Sequence, residues 1–165
     1  MPGLSGTENH HYDSIEKVLG TPYGNSIRGN DADNELLGGG GDDLLYGRAG
    51  NDTLNGGIGS DVLFGNAGDD LLIGDDARFN WVSDDDGFYF GAGDGHDTPR
   101  DFQPGAGLTD VLYLSTALGV SDFAQVIARA TQTDQGVLIS VSANESTFLS
   151  GLQLTSLVAD DFGFF

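Results

Sequence analysis

The sequence predicts an all-β protein: a parallel β-roll followed by a C-terminal cap of β-strands with one short helix. Three superimposed registers predict it. Glycine falls at every ninth residue, at Gly20, Gly29, Gly38, Gly47, Gly56, Gly65 and Gly74. An apolar row follows at Ile27, Leu36, Leu45, Leu54, Leu63 and Leu72, and a polar row at Asn25, Asn34, Asp43, Asp52, Asp61 and Asp70. Gly41, Gly50, Gly59 and Gly68 add a second glycine row. Self-similarity at a short fixed period marks stacked units that bury a core only against one another.

The N-terminal residues 1–12 are polar and poor in core formers, so they are expected to be poorly ordered. His10 and His11 read as part of a flexible tail rather than as a metal site. Val18 stands nine residues before Ile27, which makes residues 13–19 an imperfect first rung. Residues 1–19 are thus assigned to a tail and first rung, 20–82 to the roll, and 83–165 to the capping region.

One unit runs Gly38-Gly39-Gly40-Gly41-Asp42-Asp43-Leu44-Leu45-Tyr46. Its glycines permit positive φ and tight turning. Its last three residues suit a short strand, with the eighth-position Leu facing inward. Two units make one coil, so strands stack at roughly 4.8 Å on the strands two units away. That stacking places Asp43 against Asp61 and Asp52 against Asp70. Asn25 falls against Asp43 and Asn34 against Asp52, with a neutral oxygen and hence weaker outer sites. Paired carboxylates beside turn carbonyls concentrate negative potential. Calcium relieves it, since it takes six to eight oxygens in flexible geometry, whereas magnesium demands a strict octahedron. Beyond Ile73 the period fails, leaving a half-site of Asp61 with Asp75 or Asp76 as an expectation.

Composition agrees. The 165 residues include 26 acidic and 6 basic ones, for a net charge of -20. Nucleic acid is excluded as a default partner, because phosphate contacts need Lys and Arg. An anionic membrane surface is disfavoured likewise. No cysteine is present, which removes disulfides and cysteine-based zinc sites. No apolar run reaches the ~20 residues of a membrane helix. The N-terminus lacks the basic and apolar regions of a signal peptide.

These repeats resemble the RTX calcium-binding nonapeptide family, consensus G-G-x-G-x-D-x-U-x. The best copies are Gly38–Tyr46, Gly47–Asn55, Gly56–Phe64 and Gly65–Ile73; Gly29–Leu37 and Gly20–Arg28 depart from the pattern. The resemblance implies a parallel β-roll with several calcium ions between turns. It implies ligation by the sixth-position side chains Asp43, Asp52, Asp61, Asp70, Asn34 and Asn25. Backbone carbonyls of Gly39, Gly41, Gly50, Gly57, Gly59 and Gly68 complete the implied ligand set.

Residues 75–95 read as a polar connection with aromatics, in which Trp81 continues the inward register and caps the roll. Asp94-Gly95-His96-Asp97 with Asp101 suggests a further cation site through Asp97 and Asp101. The stretch from Phe90 to Ser115 is similar to the segment that follows the repeats in serralysin-type proteases and alginate epimerases. Ser121 to Thr131 reads as the one helix, with Ser121 as its N-cap and Phe123, Val126, Ile127 and Ala130 on one face. Gly136–Val141 and Ser146–Leu154 read as antiparallel strands around Asn144. The tail, Asp160-Asp161-Phe162-Gly163-Phe164-Phe165, looks like an uncleaved C-terminal type I secretion signal, and equally like a docked terminal strand.

Catalytic motifs are missing: there is no H-E-x-x-H, no G-x-S-x-G and no P-loop lysine, so an enzyme is not expected. The leading expectation is a secreted, extracellular calcium-binding module that folds on calcium after passing the type I secretion machinery. The alternative is a carbohydrate module that binds an alginate-like extracellular polysaccharide. Against it, Lys17, Arg28, Arg48, Arg78, Arg100 and Arg129 are scattered along the chain.

Overall fold

The computed structural model describes residues 9–11, 17–75, 84–105 and 109–165. Residues 13–16 of the expected first rung, Asp76 and Trp81 lie outside these. The strands in chain order are β1 (Asn9–His11), β2 (Lys17–Leu19), β3 (Ser26–Arg28), β4 (Glu35–Gly40), β5 (Leu44–Ala49), β6 (Thr53–Ile58), β7 (Val62–Ala67) and β8 (Leu71–Asp75). Then come β9 (Gly87–Phe90), β10 (His96–Pro99), β11 (Val111–Leu114), the helix α1 (Phe123–Ile127), β12 (Ala130–Gln132), β13 (Gly136–Ser140), β14 (Ser146–Ser150) and β15 (Phe162–Phe164).

Alternate strands go to alternate sheets, as a two-unit coil requires. One sheet has the order β1-β3-β5-β7-β9-β11-β15, the other β12-β13-β14-β10-β8-β6-β4-β2. Every pairing within the roll is parallel, with Leu45 beside Leu63 and Leu36 beside Leu54. The strands run longer than the expected three residues. From β4 to β7 each spans six, continuing through the first three residues of the next unit. Ladder hydrogen bonds to the next coil give those turn residues partners, so they too become extended.

The eighth-position side chains alternate with half-buried neighbours and form one continuous core. Ile27, Leu36, Leu45, Leu54, Leu63 and Leu72 are wholly buried, and Phe88 and Leu112 extend the stack. Each such burial contributes about 1.5–3 kcal/mol. On the outer side of one sheet, Tyr46, Phe64, Tyr89 and Tyr113 stack ring on ring, with centroids 4.4 to 4.8 Å apart. Arg28 covers the Tyr46 end of this stack at 4.7 Å.

Several expectations are corrected. Asn9–His11 is not a free tail: its backbone pairs in parallel with β3. The coil does not end at residue 82, because β9 and β11 extend one sheet and β10 the other. The helix is shorter than Ser121–Thr131. Its N-cap is Asp122, whose side chain accepts the Gln125 amide at 2.9 Å. Ala130 and Thr131 leave it to pair antiparallel with β13, where a β-branched residue fits well. β13 and β14 form the expected hairpin, but β14 stops at Ser150 and Leu154–Ser156 is a 3-10 turn. The acidic-apolar tail docks as β15, parallel to β11, with Gly163 beside Tyr113.

Candidate metal centre

Sixth-position side chains build the centre. On one edge of the roll a ladder climbs through Asn25, Asp43 and Asp61. The Asn25 amide donates to Asp43 Oδ1 at 2.6 Å, and the Asp43 amide to Asp61 Oδ1 at 2.7 Å. On the other edge the Asn34 amide donates to Asp52 Oδ1 and the Asp52 amide to Asp70 Oδ1, both at 2.7 Å. Both ladders run on past the repeats. The Asp61 amide meets Asp86 Oδ1 at 2.8 Å, and the Asp86 amide meets Asp110 Oδ1 at 3.1 Å. The Asp70 amide meets Asp97 Oδ1 at 3.0 Å.

One oxygen of each carboxylate is thereby used. The other is stranded: Oδ2 of Asp43, Asp52, Asp61, Asp70 and Asp86 is buried with no hydrogen-bond partner. Buried polar atoms without partners are rare and costly in native proteins. The chain makes room for these oxygens. A Cβ on Gly38 would sit 2.2 Å from Asp43 Oδ2, and one on Gly74 would sit 2.0 Å from Asp86 Oδ2. Glycine at the first position is therefore demanded by the carboxylate that folds back over it.

Burial first, then neighbouring carboxylates, raises these groups against the partial relief of their amide bonds. Asp43 and Asp52 are pushed up to about 7, Asp61 to about 8, Asp70 to about 6 and Asp86 to about 9. Asp97 rises to about 8 and Asp110 to about 7 for the same leading reason. The rows are therefore poised to trade protons for a hard cation.

Gly39, Gly41, Gly50, Gly57, Gly59 and Gly68 all have positive φ, between 79° and 145°. The carbonyls of Gly39, Gly41 and Gly50 face the glycines two units on, at Gly57, Gly59 and Gly68. Among the described residues no three His, Asp or Glu side chains converge tightly enough to hold an ion. A cation between turns would thus draw on carboxylates with carbonyl oxygens, an all-oxygen set that suits calcium.

Some expected ligands behave otherwise. Asn25 and Asn34 lie in register, yet their Oδ1 atoms accept amides of their own turns, from Thr21 at 2.7 Å and Asn30 at 2.8 Å. Asp101 does not join Asp97. Its two oxygens take the Gly74 and Asp75 amides at 3.0 and 2.8 Å, pinning the end of β8. Asp61 finds its partner in Asp86, not in Asp75. Asp86 and Asp110 escaped a search at fixed spacing because 25 and 24 residues separate the steps. A signal was available in the pattern Asp, any residue, apolar, aromatic. It recurs at Asp43-Leu44-Leu45-Tyr46, Asp61-Val62-Leu63-Phe64, Asp86-Gly87-Phe88-Tyr89 and Asp110-Val111-Leu112-Tyr113.

A family model described as the RTX calcium-binding nonapeptide repeat (4 copies) matches residues 19–54 and 46–77. These are RTX calcium-binding repeats. The matched residues carry Asp43, Asp52, Asp61 and Asp70, whereas the hydrogen-bonded ladders continue beyond them to Asp86, Asp97 and Asp110. No curated protein matches the chain significantly. Among solved structures the chain is similar to the AlgE6R3 subunit of the Azotobacter vinelandii mannuronan C5-epimerase. Identity is 26%, over 98% of this chain and 84% of that one, with a TM-score of 0.39. It is also similar to the extracellular lipase LipA from Serratia marcescens, at 17% identity over 93% of this chain and 40% of that one, with a TM-score of 0.44.

Proposed function

We propose that the protein is a calcium-dependent folding module: exported unfolded through a type I route, it folds outside the cell as calcium fills the turns. The observation that carries this reading is the pair of rows of buried carboxylates, five of which have one oxygen stranded. Asp43, Asp52, Asp61, Asp70 and Asp86 supply those oxygens, with Asp97 next along its row, and the carbonyls of Gly39, Gly41 and Gly50 complete the donor set. Without calcium, a chain of net charge -20 with 27 glycines faces both self-repulsion and a large ordering entropy. Binding confined to the folded state offsets both by mass action. Circular dichroism during a calcium titration tests this. A cooperative gain of β signal, reversed by chelator and not reproduced by magnesium, is expected. A full β spectrum after exhaustive chelation at neutral pH would sink it.

A second reading, binding of an alginate-like polysaccharide, draws support from one surface feature. Arg28 and Arg48, about one coil apart, line a single open groove of about 550 Å³ with Asp31, Tyr46 and Asn66. Arg48 reaches Asp31 at 3.4 Å, with the Arg48 side chain about half exposed and that of Asp31 largely so. Retention on immobilised alginate, lost in the Arg28→Ala, Arg48→Ala double variant, is the test. Equal retention of that variant would remove the reading.

A further inference from the structure

The two outer faces of the roll differ in charge. Burial alternates along β3, β5 and β7, so Arg28, Tyr46, Arg48, Phe64 and Asn66 point outward, and no outward position of these strands is acidic. The opposite sheet carries Glu35 and Asp75 outward, and its Lys17 is already paired with Glu35 at 2.6 Å.

Arg48 also sits in a backbone conformation that suits it poorly. Its φ is 95°, a region that residues with a Cβ avoid. Asn66, its neighbour on β7, has φ 65°. Gly39 and Gly57 hold the same second position of their units in the other sheet, and glycine meets that turn without strain. The turn alone therefore gives no reason for an arginine. The groove does. Arg48 and Asn66 line it together with Arg28, Asp31 and Tyr46. Arg28 lies over the Tyr46 ring at 4.7 Å and has no carboxylate partner among the described residues. Arg48 reaches Asp31 at 3.4 Å, longer than the roughly 2.7–2.9 Å of a charge-assisted hydrogen bond. Exposed pairs of this kind are weak and easily exchanged. The Asn66 amide gives one hydrogen to the Phe64 carbonyl at 3.2 Å and keeps the other. Tyr46 and Phe64 are stacked face to face, so they turn ring edges outward, and those edges carry positive potential.

We propose that Arg28, Arg48 and Asn66 form a subsite for one carboxylate of an acidic sugar chain, and that Asp31 occupies Arg48 until the sugar displaces it. This rests on the polysaccharide reading above and names the groups that carry it. The guanidinium groups balance the carboxylate, Asn66 donates to it, and the ring edges of Tyr46 and Phe64 meet the sugar's oxygens. The three polar residues come from three successive strands of one sheet, so the subsite exists only when the coils are stacked.

Isothermal titration calorimetry of the full chain in saturating calcium, with trimannuronate as the probe, tests it. The unaltered protein is expected to bind trimannuronate and not neutral mannotriose. Asp31→Asn removes the competing charge and should tighten binding several-fold. Arg48→Gly should weaken binding about tenfold or more. The same variant should keep or raise the Tm measured without sugar, because glycine relieves the turn. A purely structural arginine would instead lower the Tm and leave binding alone. Unchanged binding in Arg48→Gly, no tightening in Asp31→Asn, or equal affinity for mannotriose or acetate overturns the subsite. If retention on alginate still depends on the two arginines in that case, the polysaccharide reading stands without it. If the Arg28→Ala, Arg48→Ala variant is retained like the unaltered protein, both fall.

Discussion

The Asp61 amide hydrogen-bonds Asp86 Oδ1 at 2.8 Å although 25 residues separate them. One coil normally takes 18 residues, as between Asp43 and Asp61. The ladder nevertheless resumes in register at Asp86. What the fold preserves is the stacked carboxylate, not the spacing.

Asp86→Ala therefore acts like the loss of a repeat aspartate. It strands the Asp61 amide and removes one stranded oxygen from the row. An unsatisfied buried amide costs about 1–3 kcal/mol. The calcium midpoint of the circular dichroism transition should rise several-fold, by as much as in Asp61→Ala. An unchanged midpoint would show that the ladder ends functionally at the repeats.

Gly74→Ala tests the cradle. Its Cβ would lie 2.0 Å from Asp86 Oδ2, so the carboxylate or the backbone must move. Crowding of this kind costs about 1–3 kcal/mol. Thermal unfolding in saturating calcium should show a lowered Tm, and dialysis a weakened ion. A Tm equal to that of the unaltered protein would mean that the turn gives way freely.

The pH response follows from the raised carboxyl groups. Asp43, Asp52, Asp61, Asp70 and Asp86 titrate at about 6 to 9 when folded, against 3.8 ordinarily. The folded calcium-free state then binds more protons than the unfolded state. Its stability from this source is complete below about pH 4 and is lost as pH rises through 6 to 9. Chelated protein should gain β signal on acidification from pH 9 towards 5, and calcium added to that acid-folded state at pH 5 should release protons. A chelated spectrum independent of pH in that range would contradict the burial of these groups.

Tyr89→Ala interrupts the outer aromatic stack between Phe64 and Tyr113, whose rings lie 4.4 Å on either side. Each stacked pair adds about 0.5–1.5 kcal/mol beyond area burial. Denaturant unfolding in calcium should show a loss of about 1–3 kcal/mol with the ion count preserved. A lost ion would mean that the stack also positions the turns.

The nine-residue registers made the roll, its inward leucines and the Asp43–Asp61 and Asp52–Asp70 pairings legible before any coordinates. The reason is local: each unit repeats the same turn chemistry and strand pattern, so one unit's preference is multiplied along the coil. Asp86 and Asp110 were not legible by spacing, because 25 and 24 residues separate the steps while hydrogen bonding keeps the register. The 18-residue coil set Arg28 beside Tyr46, but only the fold showed Arg28 and Arg48 lining one groove.

By itself, then, the chain's order of residues determined the repeat, the acidic rows and the all-oxygen chemistry they offer. Only the tertiary structure decided where the rows end and that Asp101 pins β8 rather than extending a row. Periodic contacts are written into short segments, whereas a terminus of the stack is settled by which distant strand pairs with the last open edge.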